Sequence, residues 1–209
     1  MMQKYAIRCA ESRDIEAIMR VEHQSFAAGI AETQAVFAER LACAARCNYV
    51  LLSSDSQSVC GYVTAEIWDA AQFDPALFSL GHSVREQHRP DGTTLYISSF
   101  ALLPEVRGIR IPRSALSIES RASKAGADTA QGEPTIGLAA LFFTTVLERI
   151  GAAFPQLERI VLLVHEEWHN ALALYEKYGF TPIQTLDRFA WFGGKRAFVY
   201  EKMISNKPL

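Results

Sequence analysis

Apolar positions along the chain change period several times, and each change marks an element. Residues 5–9 read as a short strand, after which Ser12 is the expected N-cap of a helix whose positive end is favoured by Asp14 and Glu16. Ile15, Ile18, Met19 and Phe26 recur at helical spacing, and Gly29 interrupts the pattern. A second helix is expected over 33–45, with Val36, Phe37 and Leu41 on its apolar side, followed by a strand over 49–52. The polar run 53–58 separates that strand from the β-branched and aromatic stretch 59–68, as in a hairpin, and strand alternation puts Tyr62, Thr64, Glu66 and Trp68 on one face.

Apolar content rises again over 95–103, a central strand punctuated by Pro104. A helix with a broad packed side follows over 137–150, and a continuous apolar run over 160–164 has the pattern of a strand covered on both faces, hence often parallel. The segment 170–178 reads as a helix with Gly179 in the left-handed position that ends it, and Phe180 begins an extended stretch. Gly193-Gly194 suits a hairpin turn between the aromatic-rich segments 188–192 and 197–203. Between the central strand and the helix at 137, residues 111–134 are rich in Ser, Ala and Gly without a sustained apolar period, so they are expected to form a flexible surface insertion. The expectation is one mixed α/β domain over 1–209, with antiparallel strands first and a strand-helix-strand-helix unit at its centre.

Composition agrees with one domain and narrows the function. The 209 residues are 49% hydrophobic and 11% aromatic, ample for a water-excluding core. Lys plus Arg number 21 against 23 Asp plus Glu, a net charge of −2 that supplies no overall field for nucleic acid. No apolar run approaches the roughly 18 residues that span a bilayer, and the first residues lack a secretory apolar segment, so a cytoplasmic location with no membrane partner is expected. Cys9, Cys43, Cys47 and Cys60 form no CxxC pair and read as reduced thiols. His165 and His169 straddle a strand-to-helix junction rather than one helical face, so no metal site is expected.

Two motifs carry chemistry. Phe100-Ala101-Leu102-Leu103-Pro104-Glu105-Val106-Arg107-Gly108 and Asn170-Ala-Leu-Ala-Leu-Tyr175-Glu-Lys-Tyr178-Gly179-Phe180 together resemble the signatures of the Gcn5-related N-acetyltransferase (GNAT) family. The resemblance covers nearly the whole chain outside the insertion. It implies a mostly antiparallel central sheet with a parallel pair splayed at the cofactor site, flanked by helices, and acetyl-CoA as cosubstrate. It further implies that backbone groups of Phe100, Ala101 and Leu102 pair with the pantetheine and that an N–H there polarises the thioester carbonyl. A diphosphate would rest on the loop begun by Arg107 and Gly108 and on the helix start at Ile136, Gly137, Leu138 and Ala139, where backbone N–H groups meet the anion. Here the insertion separates those two halves, and the middle glycine of the family loop has no clear equivalent.

The resemblance places Tyr175 where many family members hold a tyrosine hydroxyl near the CoA sulfur, which implies that it protonates the departing thiolate; the other reading is a helix tyrosine packing on the sheet with its hydroxyl in water. Asn170 reads equally as a cofactor contact or a helix N-cap, and Tyr178 as structural or bordering the cofactor. For the base, Glu66 and His88 are candidates. The segment from His88 to Pro104, with the Phe192-Gly193-Gly194-Lys195 turn, resembles the arylalkylamine N-acetyltransferase branch, but Tyr96 and Ser98 stand where that branch carries histidines, so only a water wire ordered by Tyr96 and Ser98 towards Glu66 or His88 is open. Tyr62, Trp68, Tyr96 and Phe189 are read either as walls of an apolar amine pocket or as core. Arg107, Arg110, Arg113, Arg121 and Lys124 make the insertion locally basic, suited to CoA phosphates or an acidic partner, or simply solvated. The expected activity is acetyl transfer to a small, arylalkyl-type primary amine in a ternary complex, with homodimerisation open. The alternatives are a noncatalytic acyl-CoA-binding or interaction protein and a protein or peptide N-acetyltransferase.

Overall fold

A computed structural model describes residues 4–69, 75–118 and 133–204. The chain begins with β1 (Tyr5–Cys9), α1 (Ile15–Ser25), α2 (Gln34–Cys43), β2 (Tyr49–Ser53), β3 (Val59–Trp68) and the single turn α3 (Val84–Gln87). It continues with β4 (Thr94–Leu102), β5 (Arg110–Pro112), β6 (Leu116–Ile118), β7 (Thr135–Gly137) and α4 (Leu138–Ala153). The last elements are β8 (Arg159–His165), α5 (His169–Lys177), β9 (Thr181–Leu186) and β10 (Ala197–Met203). Eight strands form one sheet in the order β6-β1-β2-β3-β4-β8-β10-β9, while β5 and β7 make a separate two-stranded ribbon.

The entry to α1 differs from expectation. Glu11, not Ser12, caps the short 3-10 turn Ser12–Asp14 that leads into the helix, because Asp14 accepts from the Glu11 N–H at 2.8 Å. Arg8 holds that carboxylate bidentately at 2.6 and 2.7 Å and keeps its pKa low against the opposing effect of burial.

Most pairings are antiparallel; β4 with β8, as expected, and β1 with β6 are parallel. The β4–β8 ladder stops at Ile97 opposite Leu162, although β4 runs on to Leu102 and β8 to His165. Each strand keeps its outer partner beyond that point: β3 pairs with β4 as far as Leu102, and β10 with β8 as far as His165. A bulge accounts for the divergence. Thr64 pairs with Ser99 and Ala65 with Ile97, leaving Ser98 as an extra residue in β4, and an extra residue bends its strand.

Alternation assigns the helices to two faces. Tyr62 meets Phe37 of α2 with ring centroids 5.4 Å apart, whereas Phe100, paired with the next residue Val63, meets Phe143 of α4 at 5.1 Å. Helices α1 and α2 therefore cover one face, and α4 with α5 the other, since Tyr175 of α5 also packs on Phe143. Trp68 stacks on Tyr96 at 4.1 Å in an aromatic cluster of its own. Among the described residues, no helix is long and apolar enough to cross a membrane.

The expected insertion at 111–134 does not start as loop. Ile111 and Pro112 pair with Ile136 and Thr135, and residues 116–118 extend the main sheet beside β1. Three-residue strands are too short to show a period, so only their partners define them. Residues 119–132, the rest of the expected insertion with Arg121 and Lys124, lie outside the described residues.

Candidate active site

The wedge between β4 and β8 opens into a cleft of about 750 Å³. One wall is β4 from Tyr96 to Leu102; the other is formed by Leu162 and Leu163 of β8 and by Trp168, Asn170 and Tyr175 around α5. The end of α1 closes one side, while Arg107, Gly108 and Ala139 form the mouth. Past Ile97, no described strand pairs with the β4 edge that faces β8, so the backbone donors and acceptors there, other than the Leu102 carbonyl, are open to an extended ligand.

Phe100, Ala101 and Leu102, the expected pantetheine contacts, line the cleft along this part of β4. Arg107 is at the mouth with its guanidinium turned inward: Nε donates to the Leu102 carbonyl and Nη2 to Ser25 Oγ, both at 2.9 Å. Gly108 follows in the left-handed region at φ +74°, a conformation glycine reaches without steric cost. The chain then turns through β5 and returns by β7, so that Gly137 caps α4 and the Leu138 N–H donates to Ile109 O at 2.8 Å. One of the helix-terminal donors is thereby used internally. Helix geometry leaves Ala139 and Ala140 N–H without intrahelical partners, and Ala139 lines the cleft, whereas Ile136, Gly137 and Leu138 are not among its lining residues.

Tyr175 is buried on the α5 side, its ring 5.5 Å from Phe143 and 5.8 Å from Phe180, and burial raises its hydroxyl pKa. Its proton is therefore present throughout the neutral range. Asn170 is exposed at the cleft rim in the first turn of α5; the N-cap is Trp168, so the capping role read from the sequence does not apply. Tyr178 caps the other end of α5 outside the cleft, with Lys177 Nζ 6.0 Å from its ring centre.

The structure does not bring the expected base candidates to the cleft. Glu66 is fully buried and bound by His82 Nε2. His82 Nδ1 lies 2.9 Å from Ser79 O, so both ring nitrogens act as donors in the imidazolium form. Burial lowers the His82 pKa, but the Glu66 hydrogen bond and charge outweigh it and the net shift is upward. His88 accepts the Ile67 N–H through Nδ1 at 3.0 Å, and its pKa is lowered by burial. Ser98, the bulge residue, donates to Thr64 O at 3.1 Å and lies 2.9 Å from Thr64 Oγ1. Tyr96 lines the cleft but stacks on Trp68, and burial pushes its hydroxyl pKa up. Tyr62, Trp68 and Phe189 pack in the core rather than lining the cleft.

A different carboxylate is present. Glu22 of α1 is 1% exposed and borders the cleft. One of its oxygens accepts the Glu32 N–H at 2.8 Å and the other the Tyr62 hydroxyl, which lies 2.9 Å from Ser99 Oγ. Glu32 is ion-paired with the buried Arg40 and also accepts the Gly81 N–H at 3.0 Å, which anchors the segment that carries the Glu22-binding N–H. Glu22 is legible in the sequence as the one charged position on the apolar stripe Ile15, Ile18, Phe26, four residues after Ile18 and four before Phe26. Among the described residues, no three His, Cys, Asp or Glu side chains are grouped to hold a metal ion.

No family model matches the chain, and no curated protein matches it. Solved structures do. The GphF GNAT-like decarboxylase in complex with isobutyryl-CoA is similar with a TM-score of 0.68 at 15% identity, over 94% of this chain and 98% of that one. The loading GNATL domain of CurA from Lyngbya majuscula gives 0.68 at 12% identity, over 97% and 99%. Arabidopsis thaliana Naa50, in complex with the bisubstrate analogue CoA-Ac-MVNAL, gives 0.62 at 13%, over 96% and 99%. With its strand order, its splayed parallel pair and these likenesses, the chain has the GNAT fold.

Proposed function

We propose that the chain is an acyl-CoA-dependent N-acetyltransferase that moves acetyl from acetyl-CoA to a primary amine, the two substrates being bound together. The observation that carries this reading is the unpaired edge of β4 facing Tyr175 across the wedge. An extended pantetheine can add to that edge by main-chain hydrogen bonds, which leaves its thioester between the strand and the α5 tyrosine. A backbone N–H held rigidly in β4 can stabilise the developing oxyanion, a contribution of about 3 kcal/mol in comparable sites. The Ala139 and Ala140 N–H groups at the start of α4, and Arg107 at the mouth, suit the diphosphate. The isobutyryl-CoA and CoA-Ac-MVNAL ligands of two similar structures support an acyl-CoA ligand for this fold.

The acceptor in this reading is small and carries an apolar or aryl group. Phe26, Phe78, Tyr96, Trp168 and Phe192 line the cleft, a wall that stabilises an aromatic or aliphatic body, while Glu22 offers a negative group to an ammonium. Release of free thiol from acetyl-CoA, followed with arylalkylamines and with short peptides as acceptors, tests it. The expected result is transfer to the amines at a kcat/KM at least tenfold above that for peptides; the reverse order assigns a peptide acceptor instead.

One observation favours a second reading. The Leu138 N–H is already used by Ile109, and the β5–β7 ribbon interrupts the phosphate loop, as in a protein that retains acyl-CoA without turning it over. Acetyl-CoA binding with no thiol release from any amine supports that alternative.

A further inference from the structure

The proposed transfer needs a proton acceptor, because an alkylamine reaches the site chiefly as ammonium, and the two bases suggested by the sequence are engaged elsewhere. We propose that Glu22 is the general base, held in place by Tyr62 and the Glu32 N–H; this rests on the acyl-transfer reading above.

Position argues for it first. Glu22 borders the cleft, and its hydrogen-bond chain through Tyr62 reaches Ser99, two residues beyond Ile97, the last β4 residue paired with β8. The carboxylate therefore sits beside the stretch of β4 whose edge is open. Each carboxylate oxygen has two acceptor sites, so one donor on each oxygen leaves room for the substrate N–H. Ser25, one turn along α1, donates to Leu102 O at 3.3 Å and also accepts from Arg107, which ties this end of the helix to the far end of the same edge.

Environment argues for it second. The groups facing Glu22 are Tyr62 from β3, Glu32 from the segment before α2 and Arg40 from α2. Burial has the largest effect and raises the Glu22 pKa, the nearby Glu32 charge acts in the same direction, and the Tyr62 and Glu32 N–H hydrogen bonds with Arg40 oppose them; the net shift is upward. A carboxyl raised towards neutrality accepts a proton from an ammonium more readily than an ordinary surface glutamate. Glu66, by contrast, is fully buried, bound through one oxygen by His82, and is not among the residues that line the cleft.

The step balances. Glu22 takes one proton from the ammonium, and the freed nitrogen lone pair forms the C–N bond at the thioester carbonyl. The C–S bond breaks with its electron pair on sulfur, and the second nitrogen proton accompanies the thiolate by way of the Tyr175 hydroxyl, giving the amide and free thiol. Glu22 returns its proton to solvent.

The test uses the full chain with Glu22→Gln, read by acetyl-CoA calorimetry and by the pH profile of thiol release. Acceptors are a primary alkylamine and an arylamine that is already neutral at pH 7. Acetyl-CoA affinity should stay within about twofold. Transfer to the alkylamine should fall by about 10²-fold or more, and the rise of rate with pH that reports Glu22 ionisation should disappear, whereas the arylamine should lose less than about tenfold. Tyr62→Phe serves if the glutamine variant fails to fold: loss of a donor to the carboxylate raises the Glu22 pKa, so the same rise should move to higher pH. An unchanged rate and profile in Glu22→Gln, or an unmoved rise in Tyr62→Phe, overturns the role of Glu22 while acyl transfer stands. A folded parent that binds acetyl-CoA but transfers to neither amine overturns the acyl-transfer reading and the base together.

Discussion

In the proposed transfer, Tyr175 must keep its proton until a thiolate needs it. Its burial against Phe143 and Phe180 does this by disfavouring the phenolate. Because those ring contacts involve no hydroxyl, Tyr175→Phe should keep the packing and remove only the acid. Turnover should drop by about 10²-fold with acetyl-CoA affinity nearly unchanged, measured by single-turnover thiol release with chemistry rate-limiting; unaltered turnover removes Tyr175 as the acid. Glu22 belongs to the same scale. A glutamate in the middle of a helix's apolar stripe is either neutralised, paired or functional, and this one is bound by two donors at a cleft wall rather than by a cation. Its neighbour Glu32 is held by a buried arginine, the arrangement in which loss of one partner typically costs about 3–5 kcal/mol.

Among the elements, β4 does the most. Its bulge at Ser98 bends it from β8, and its pairing with β3 continues to the end, so one edge is saturated while the other, apart from the Leu102 carbonyl held by Ser25 and Arg107, is open. Antiparallel ladders alternate their donors between the two edges. Amides of β4 that point to β3 should be slow in hydrogen exchange with or without ligand, while the cleft-facing ones within 98–102, with Ala139 and Ala140, should slow only when acetyl-CoA is added. Strands β1 and β2 should not respond. Protection spread evenly over the sheet, or confined to β1 and β2, contradicts the placement of the cofactor. The single-residue bulge was beyond the reach of alternation, because Ser98 and Ser99 are both small and polar and either could be the extra residue. The ribbon β5–β7 was illegible for another reason: its two three-residue strands lie 25 positions apart at Arg110 and Thr135, joined through residues whose composition carries no period.

At the scale of the whole molecule, the elements that build the wedge were legible because each has a long signal. Residues 160–164 form an unbroken apolar run, the α4 helix has a broad apolar side, and the motif from Asn170 to Phe180 ends at a left-handed Gly179. What needed three dimensions was convergence. Glu66 and His88 look available in one dimension, yet His82 and the Ile67 N–H claim them, while Glu22 reaches the cleft from an element separated from β4 by most of the first half of the chain. The expected phosphate loop is the point at which the molecule departs furthest from the resemblance in its sequence, since β5 and β7 stand between its two halves and Ile109 occupies one helix donor. With a net charge of −2, the chain has no general attraction for anions, so any affinity for a diphosphate has to come from that local geometry.

Calorimetric titration of the folded chain with acetyl-CoA, with CoA and a simple adenine nucleotide as comparators, tests this most directly. The open β4 edge and the start of α4 together predict micromolar binding, roughly −8 kcal/mol, with acetyl-CoA and CoA similar and the adenine nucleotide much weaker because it cannot add to the strand. No heat at millimolar acetyl-CoA, or equal affinity for the adenine nucleotide alone, would contradict a pantetheine site between β4 and β8.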